Sequence, residues 1–550
     1  MTQSNPAFPT LSEKQIAAIA QFATRRHFRD GDSLFQAGTS RGAFFVILSG
    51  AVEIVDNSGG QPRSVVTHLP GQFTGDIDIL SRRRTVVSGI ARADTDALEV
   101  APADIRRIIS DDPGMGEIIL QAFIARREQL LESGFQGIRV IGSGSSRDAY
   151  RIREFLTRNH VPATWIDVDQ DPHAGEMLEH FGFGDDALPV VACEGRPLMH
   201  NPSISELAEA VGLRGTIGTE IYDLVIIGAG PAGLAAAVYG SSEGLSTLLL
   251  DSEAPGGQAS ASTSIENYLG FPMGISGADL TNRATLQSQK FGTRFSIPSP
   301  VTALEDDGSH IVVRFSDGEG ASTRCVLIAT GADYRKLDVP DRERFEGLGV
   351  YYSATAMELA ACGGADVVIV GAGNSAGQAA MFLARHTNNV LLLVRGDNLR
   401  KNMSSYLADR VEAAQNIELL YHSEIRKMEG ATRLERVEIE NTKTGEKRTV
   451  TTPAVFTFIG AVPRTDWLPP QIETDPKGFI CTGRTLADST RWTKKRAPFL
   501  LETSHPGVFA AGDVRLGSAK RVASAVGEGS MAVMFVHEYL AELNAEMPAS

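Results

Sequence analysis

The sequence is poor in cysteine, and its cysteines lie far apart. Four occur in 550 residues: Cys193, Cys325, Cys362 and Cys481. The two that are nearest in sequence, Cys325 and Cys362, are 37 positions apart, so the chain contains no vicinal dithiol. Few cysteines without a pairing pattern indicate a reducing compartment.

Long apolar runs and positive charge are also lacking. No apolar run approaches the ~18–20 residues needed to span a bilayer, and the first residues, MTQSNPAFPTLSEKQ, do not resemble a signal peptide. The net charge of −15 and the pI near 5.3 argue against nonspecific nucleic-acid binding. We therefore expect a cytoplasmic protein without a membrane or nucleic-acid partner, and we predict no metal site.

The sequence does contain two glycine-rich dinucleotide fingerprints. They are YDLVIIGAGPAGLAAAVYG at 222–240 and ADVVIVGAGNSAGQAAMFLARH at 365–386. In each, an apolar strand leads into G-x-G-x-x-G or G-x-G-x-x-A and then into a helix rich in small residues. The first glycine makes the tight turn, the second lets a pyrophosphate approach the backbone, and the third position allows close helix–strand packing. Two fingerprints in tandem predict two dinucleotides, a flavin and a nicotinamide, and hence electron transfer.

The residues after the second strand of each unit distinguish the two sites. Asp251 follows the first fingerprint, 23 positions past Gly228, and a carboxylate there suits the ribose of FAD. Arg395 follows the second, 24 positions past Gly371, with Arg400 close by. A cation in this place suits a 2′-phosphate, which favours NADPH over NADH. The alternative is that these arginines are solvated residues of a loop.

Residues from about 220 to 545 resemble low-molecular-weight thioredoxin reductase. The matching stretches occur in the family's order: APGGQ, IENYLGFP, LIATGADYRKL, FIGAVPRTDWL, TSHPGVFAAGDVR and KRVASAVGEGSMA. The resemblance implies a flavin domain split by an inserted NADPH domain, and it assigns a contact role to residues in both. For FAD these are Gly228, Gly230, Gly233, Asp251, Gly257, Gln258, Asn267, Gly331, Gly512, Asp513, Arg521 and Ala523. For NADPH they are Gly371, Gly373, Asn374, Ser375 and Arg395, and we add Arg400 because it lies close to Arg395 in the sequence.

The chain departs from that family at three places. The family's H-R-R-D motif reads V-R-G-D at 394–397, and the Gln that follows the flavin-site Arg is Val522. The family's C-x-x-C falls on Ser353 and Ala356, so the dithiol is missing. Cys362, nine residues past Ser353, is either a lone redox thiol or a thiol at a helix end. No catalytic residue is assigned with certainty.

The N-terminal part, residues 1–133, reads as short strands with Gly turns followed by a long helical stretch, which predicts a β-roll with helices. It resembles the cyclic nucleotide-binding module of CRP-type regulators. The family's phosphate cassette corresponds to FTGDIDILSRRRTVVSG, with Gly75 and Asp76 at the ribose end and Arg84 at the phosphate. The shorter Asp, the missing Pro and Val86 predict weak or no binding of cyclic AMP. The alternative role is a docking or dimerisation module.

Residues 137–213 form a separate unit whose pattern is βαβαββα. This order, with Leu188-Pro189 before the hairpin, resembles glutaredoxin, in which the proline is cis and lies beside the redox cysteines. The C-x-x-C positions fall on Ser146 and Ala149, so this dithiol is missing as well. We interpret the unit as a scaffold or partner-recognition domain. A thiol-independent catalytic or glutathione-binding role is the alternative.

Together these observations predict a multidomain α/β protein with two Rossmann-type three-layer domains, preceded by a β-roll with helices and a thioredoxin-fold domain. The domains are expected at 1–133, 137–213, 220–338 with 461–545 for FAD, and 339–460 for NADPH. The expected function is an NADPH-dependent FAD oxidoreductase that lacks the dithiol, passes electrons to an unidentified acceptor such as a partner protein, and forms a homodimer. One alternative is a thioredoxin-disulfide reductase that uses Cys362 or partner thiols; another is a nonenzymatic redox or nucleotide sensor.

Overall fold

The structure is a computed structural model. It describes residues 5–39, 44–57, 62–76, 78–81, 85, 87–132, 138–144, 146–171, 188–193, 196–215, 217–362 and 364–546. Within these ranges no helix combines the length and the apolar character that crossing a membrane requires.

The N-terminal domain is a roll of two antiparallel sheets, with strand orders β1-β7-β3 and β2-β6-β4-β5. Side chains of β3 alternate between two cores: Phe44 and Val46 face the helices, and Phe45 and Ile47 face the space between the sheets. The strands are β1 Ala23–Phe28, β2 Ser33–Phe35, β3 Phe44–Ser49, β4 Val52–Asp56, β5 Arg63–His68, β6 Ser88–Ala91 and β7 Thr95–Val100. The helices are α1 Glu13–Ala20, α2 Asp78–Ser81, α3 Pro102–Asp111 and α4 Pro113–Glu132.

The long helical stretch expected after β7 is two helices rather than one. It is interrupted at Asp112, whose backbone is extended at φ −121° and ψ 98°. Pro113 explains the break, because a proline ring disfavours the helical conformation of the residue before it and starts a new helix well. Helix α4 continues to Glu132, close to the end of the range 1–133 that is expected for this domain.

The middle domain has a four-stranded sheet of order β11-β10-β8-β9. Strands β8 and β9 are parallel around helix α5, and β10 runs antiparallel to β8. The elements are β8 Ile138–Gly142, α5 Arg147–Arg158, β9 Thr164–Asp167, β10 Val190–Cys193, β11 Met199–His200 and α6 Ile204–Ala210. These agree with the predicted pattern βαβαββα, except that its second helix would fall within 172–187, outside the described residues.

The first nucleotide domain is the unit built on the strand of the first fingerprint. Its parallel strands β14-β13-β12-β17 continue with β28 beside β17, and β16 and β15 extend the sheet in the antiparallel sense. The strands are β12 Tyr222–Ile227, β13 Thr247–Leu250, β14 Arg294–Ser296, β15 Val301–Asp306, β16 Ile311–Phe315, β17 Gly320–Ile328 and β28 Val508–Ala510. The helices are α7 Pro231–Ser242, α8 Gly277–Lys290 and α13 Val522–Glu546. The central strands are almost wholly apolar because both of their faces are buried.

The second nucleotide domain is inserted into the first. Its sheet is parallel, of order β19-β26-β20-β21-β22, and an antiparallel sheet β23-β24-β25 packs beside it. The strands are β19 Val350–Tyr351, β20 Val367–Val370, β21 Val390–Val394, β22 Ile417–Tyr421, β23 Ser423–Glu429, β24 Arg436–Asn441, β25 Lys447–Thr451 and β26 Val455–Thr457. The helices are α9 Arg342–Phe345, α10 Ala356–Cys362, α11 Asn374–Leu383 and α12 Ser405–Ala413.

The two chain crossings between the nucleotide domains pair with each other. Strands β18 Ala332–Tyr334 and β27 Ala461–Pro463 form a short antiparallel ribbon. Because both crossings run through this ribbon, it fixes where the inserted domain leaves the first domain and where it returns.

Candidate functional site

The turn after β12 has the geometry that the first fingerprint predicts. Gly228 has φ +108°, and a Cβ there would lie 2.3 Å from the carbonyl oxygen of Ala329. A Cβ on Gly233 would lie 1.8 Å from the carbonyl oxygen of Gly228. Both positions therefore require glycine for the strand–turn–helix unit itself to form.

Gly230 is a different kind of position. It precedes helix α7, and no side chain caps that helix end. A Cβ on Gly230 would meet no atom within 4 Å, so the protein leaves this space open. The open space faces unsatisfied amides at a helix N-terminus, which attract an anion. Gly257 borders the same space, since a Cβ on it would lie 3.0 Å from the Cα of Gly230.

Asp251 ties the end of β13 to the fingerprint turn. One carboxylate oxygen accepts a hydrogen bond from the amide of Ala229 at 2.7 Å. The other accepts from the amides of Glu253 at 2.8 Å and Ala254 at 3.1 Å. Burial raises the pKa of Asp251, whereas these amides stabilise its ionised form. The carboxylate thus shapes the loop in which a ribose contact is predicted.

The other residues that the resemblance assigns to FAD divide into two groups. Gln258 donates a hydrogen bond to the carbonyl oxygen of Ala332, next to Gly331. The amide of Gly512 donates to Glu528 at 2.7 Å, and burial raises the pKa of Asp513. Gly331 directly precedes the ribbon strand β18, and Gly512 and Asp513 follow strand β28 of the first domain's sheet. The remaining three are exposed: Asn267, Arg521 and Ala523.

The second fingerprint also combines one glycine that the turn requires with one that leaves open space before a helix. Gly371 has φ +150°, and a Cβ there would lie 2.5 Å from the carbonyl oxygen of Phe458. Gly373 precedes helix α11, which no side chain caps, and the space around its Cβ position is open to 4 Å. Asn374 accepts a hydrogen bond from the amide of Ser404 at 2.7 Å, and Ser375 is exposed. This turn therefore presents a second open helix N-terminus.

The two arginines near the second fingerprint differ in their partners. Arg400 contacts Asp409 at 2.7 Å and Glu412 at 2.5 Å, so its guanidinium is held by two carboxylates. Arg395 follows β21 directly and is exposed, and it makes no ion pair within the described part of the chain. Of the two cations expected from sequence, Arg395 is the one with a guanidinium available for a phosphate.

The segment where the family's dithiol would lie is organised by a buried glutamate. Glu358 is 2% exposed and accepts hydrogen bonds from the hydroxyl of Ser353 at 3.2 Å and the amide of Thr355 at 2.8 Å. The hydroxyl of Tyr150, from the middle domain, donates to the same carboxylate at 3.1 Å. The sequence reasoning missed Glu358, although Thr355-x-x-Glu358 is a capping-box pattern that marks the start of helix α10.

Cys362 ends helix α10 and is 2% exposed. Its thiol contacts the carbonyl oxygen of Glu358 at 3.2 Å, and burial raises the pKa of Cys362 to about 11. A thiol of this kind is almost entirely protonated at neutral pH and is a poor nucleophile. Of the two interpretations made from sequence, the geometry favours a thiol at a helix end.

Two arginines of helix α4 contact the residues at the predicted cyclic nucleotide position. Arg127 of helix α4 contacts Asp76 at 3.1 Å, and both side chains are largely buried. Arg126 donates hydrogen bonds to the carbonyl oxygens of Phe73 at 2.9 Å and Gly75 at 2.5 Å. Arg84, expected at the phosphate, lies outside the described residues, as does Val86. The carboxylate expected to contact a ribose is therefore already paired within the domain.

The glutaredoxin-like position is built around the start of α5. Ser146 caps this helix by accepting a hydrogen bond from the amide of Ala149 at 3.3 Å. The Leu188-Pro189 peptide bond is cis, as in the family that the sequence resembles. A Cβ on Gly142 would lie 3.1 Å from Pro189 and 3.2 Å from Ala149, so the three residues meet. The residues at the positions that the resemblance to glutaredoxin predicts therefore lie close together.

The fold and its two open glycine turns define an oxidoreductase class with two dinucleotide-binding domains, one inserted into the other. The model of the family described as pyridine nucleotide-disulphide oxidoreductase matches residues 222–529, and the chain belongs to this family. A second model, the cyclic nucleotide-binding domain, matches residues 25–112. These two models confirm the resemblances of residues 220–545 and of the N-terminal part, while the resemblance of residues 137–213 to glutaredoxin stays a prediction.

Relatives and solved structures agree with this assignment. The chain is 35% identical over 325 residues to thioredoxin reductase of Treponema pallidum and 34% identical over 325 residues to that of Bacillus subtilis. These alignments cover 58% and 59% of this chain and 97% and 96% of the relatives. The thioredoxin reductase structure from Lactococcus lactis is 30% identical with a TM-score of 0.52, and covers 58% of this chain and 99% of its own.

Proposed function

We propose that the protein is an NADPH-dependent FAD oxidoreductase that lacks an internal dithiol and delivers electrons to an acceptor outside the chain. One observation supports this most directly. Two glycine turns, at Gly230 and Gly373, leave open space before uncapped helix ends, while the positions that the resemblance assigns to the family's cysteines hold Ser353 and Ala356. Together, these two features favour electron transfer between two bound dinucleotides without an internal disulfide.

The residues around Gly230 fit an FAD pyrophosphate. The helix end offers amides and a positive dipole to an anion, and Gly257 lets a second loop approach without a side chain in the way. Asp251 holds the loop between β13 and Gly257 in place through its three amide contacts. FAD bound here would supply the redox chemistry, taking a hydride from NADPH and releasing the electrons to an acceptor.

NADPH would bind at the second turn. Its pyrophosphate would meet the open helix end at Gly373, and its 2′-phosphate would meet Arg395 just past β21. Arg400 contributes less, because Asp409 and Glu412 already neutralise it. The protein's part in the reaction is to position the two nucleotides and to complement their charges.

A disulfide reductase that uses Cys362 is the less favoured alternative. Reduction of a disulfide by thiol exchange needs one thiol to attack and a second to release the mixed disulfide. Cys362 is buried with a raised pKa, and the other three cysteines lie in other domains or strands. The nonenzymatic sensor is the alternative from another class, and it predicts bound nucleotides without turnover.

The proposal is tested by anaerobic and steady-state kinetics on the purified chain. We expect one FAD per chain, bleaching of the flavin absorbance near ~450 nm by NADPH, and turnover with ferricyanide or a quinone. We expect negligible reduction of thioredoxin. Bound FAD without any turnover would favour the sensor, whereas robust thioredoxin turnover lost in Cys362→Ser would favour the disulfide reductase.

A further inference from the structure

Helix α5 of the middle domain has two chemically distinct faces. One face is apolar and packs in the core of its own domain, with Ile152, Phe155 and Leu156 buried. The other face carries Arg147, Tyr150, Glu154 and Arg158, spaced three or four residues apart. Residues with this spacing lie on the same side of a helix. A long polar and aromatic stripe on a helix that is already packed on its other side has the character of an interface.

The N-terminal half of this stripe contacts the segment that leads into the missing dithiol. Arg147 donates hydrogen bonds to the carbonyl oxygens of Glu343 at 2.5 Å and Glu346 at 3.3 Å. A Cβ on Gly347 would lie 3.1 Å from the ring of Tyr150. The start of α5, where the glutaredoxin-like cysteines are missing, therefore lies against the second nucleotide domain.

Tyr150 penetrates that domain. Its ring lies 6.1 Å from the ring of Tyr351, which in turn lies 5.6 Å from Phe456 in the domain's core. Its hydroxyl reaches Glu358, the carboxylate that also accepts from Ser353. Burial raises the pKa of Tyr150, so it donates this hydrogen bond as a neutral phenol.

The C-terminal end of α5 contacts the first nucleotide domain. Arg158 pairs with Glu253 at 2.6 Å, and Asn159 donates to the carbonyl oxygen of Glu253 at 3.0 Å. Glu253 also pairs with Arg464, which follows the ribbon between the nucleotide domains. The helix thus spans from the segment around Ser353 to the loop beside the first fingerprint.

We propose that the middle domain covers the surface around Ser353, where the resemblance places the family's dithiol. Helix α5 thereby keeps the disulfides of other proteins away from this surface. Two sites that lack their cysteines, Ser146 with Ala149 and Ser353 with Ala356, are brought together by the contact of Tyr150 with Glu358. A protein disulfide approaching Ser353 would have to displace α5. An acceptor that takes electrons must therefore be small or must use another face.

The test measures the accessibility of a cysteine placed at the face, and it uses no NADPH, so its outcome is independent of the proposed function. Ser353→Cys is made in a Cys193→Ser background, because Cys193 is the native cysteine that is not fully buried. The thiol is challenged with a small aromatic disulfide and with a thioredoxin variant that retains a single cysteine, which carries that reagent as a mixed disulfide and cannot release it by itself. In each reaction the thiolate attacks the disulfide, a new mixed disulfide forms, and the coloured aromatic thiolate leaves.

The control cysteine is Ser309→Cys, at an exposed position between β15 and β16. For each cysteine, the measured quantity is the ratio of two rates: the rate with the protein disulfide divided by the rate with the small reagent. We expect this ratio to be at least ~100-fold lower for Ser353→Cys than for Ser309→Cys. Combining Arg147→Ala and Arg158→Ala with Ser353→Cys should raise this ratio by about 10-fold or more, because the contacts that hold α5 against both nucleotide domains are lost. Tyr150→Phe, which removes a single hydroxyl, should raise it less.

The matched variant is Arg151→Ala. Arg151 lies on the same helix but contacts Asp148, Asn201 and the carbonyl oxygen of Pro202 within the middle domain, so the ratio should not change. Equal ratios at positions 353 and 309 in the parent chain would overturn the proposal. It would also be overturned if the ratio at 353 stayed low in a folded Arg147→Ala, Arg158→Ala variant, because the exclusion would then not depend on α5.

Discussion

Replacing Arg395 by alanine should abolish most of the preference for NADPH over NADH. The guanidinium follows β21 directly, is exposed and has no ion-pair partner within the described ranges, so its charge is available to a 2′-phosphate. A charge-assisted contact of this kind contributes ~1.5–3 kcal/mol, or about 10- to 100-fold in kcat/KM. Because NADH lacks the phosphate, its kcat/KM should change little.

The assay is the initial rate of ferricyanide reduction with each nucleotide. Arg395→Lys should keep part of the preference, because it retains the charge but not the two-pronged geometry. Arg400→Ala is the control, since Arg400 is held by Asp409 and Glu412, and its effect on the preference should be small. An unchanged NADPH preference in Arg395→Ala, or a larger loss in Arg400→Ala, would refute the assignment.

Three further predictions concern the first glycine turn, the thiol of Cys362 and the buried imidazole of His68. Gly230→Val should fold but lose at least ~10-fold in FAD affinity, since its side chain has space in the protein but not beside a pyrophosphate. Gly233→Val should instead lower the melting temperature, because its Cβ would collide with the carbonyl oxygen of Gly228. The flavin-to-protein absorbance ratio measures the first effect, and a thermal scan measures the second. Cys362→Ser should leave NADPH oxidation unchanged, because the thiol is buried with its pKa raised to about 11; a tenfold loss of turnover would contradict this. His68 has its pKa lowered to about 3, mainly by burial, so it stays neutral in the folded state while the unfolded form protonates below ~6.5. The contribution of His68 to the stability of the β-roll should therefore not change above pH 6.5, and it should fall by up to ~1.4 kcal/mol per pH unit as the pH decreases from 6.5 towards 3. Hydrogen exchange of β5 at pH 7.5 and 5.5 measures this, and an identical pH dependence in His68→Leu would disprove the role of His68.

The sequence predicted those features that depend on local patterns. Each fingerprint combines a strand, a turn and a helix within about 20 residues, and the positive φ at Gly228 and Gly371 follows from that pattern. The β-roll and the βαβ start of the middle domain were likewise readable from turn residues and periodicity. The break at Asp112 also had a local signal in Pro113, which the description of this stretch as helical did not use.

The features that the sequence could not predict are tertiary. Tyr150 and Glu358 are 208 positions apart, and no local pattern indicates that one donates to the other. The pairing of Asp76 with Arg127 depends on how α4 packs across the roll. Arg395 and Arg400 look alike in sequence, and only the packing of α12 supplies two carboxylates to Arg400. Such contacts depend on how helices and strands that are distant in sequence pack against each other, and neither composition nor residue spacing predicts that packing.

The most direct test of the account is the number of electrons that the oxidised protein accepts. A flavoenzyme with a redox-active disulfide takes up about four electrons, two for the flavin and two for the disulfide, whereas a flavin alone takes up about two. In an anaerobic titration, we predict complete bleaching of the flavin with about one equivalent of NADPH per FAD. Uptake of about two equivalents per FAD, with free thiols appearing, would contradict the claim that this chain works without a dithiol.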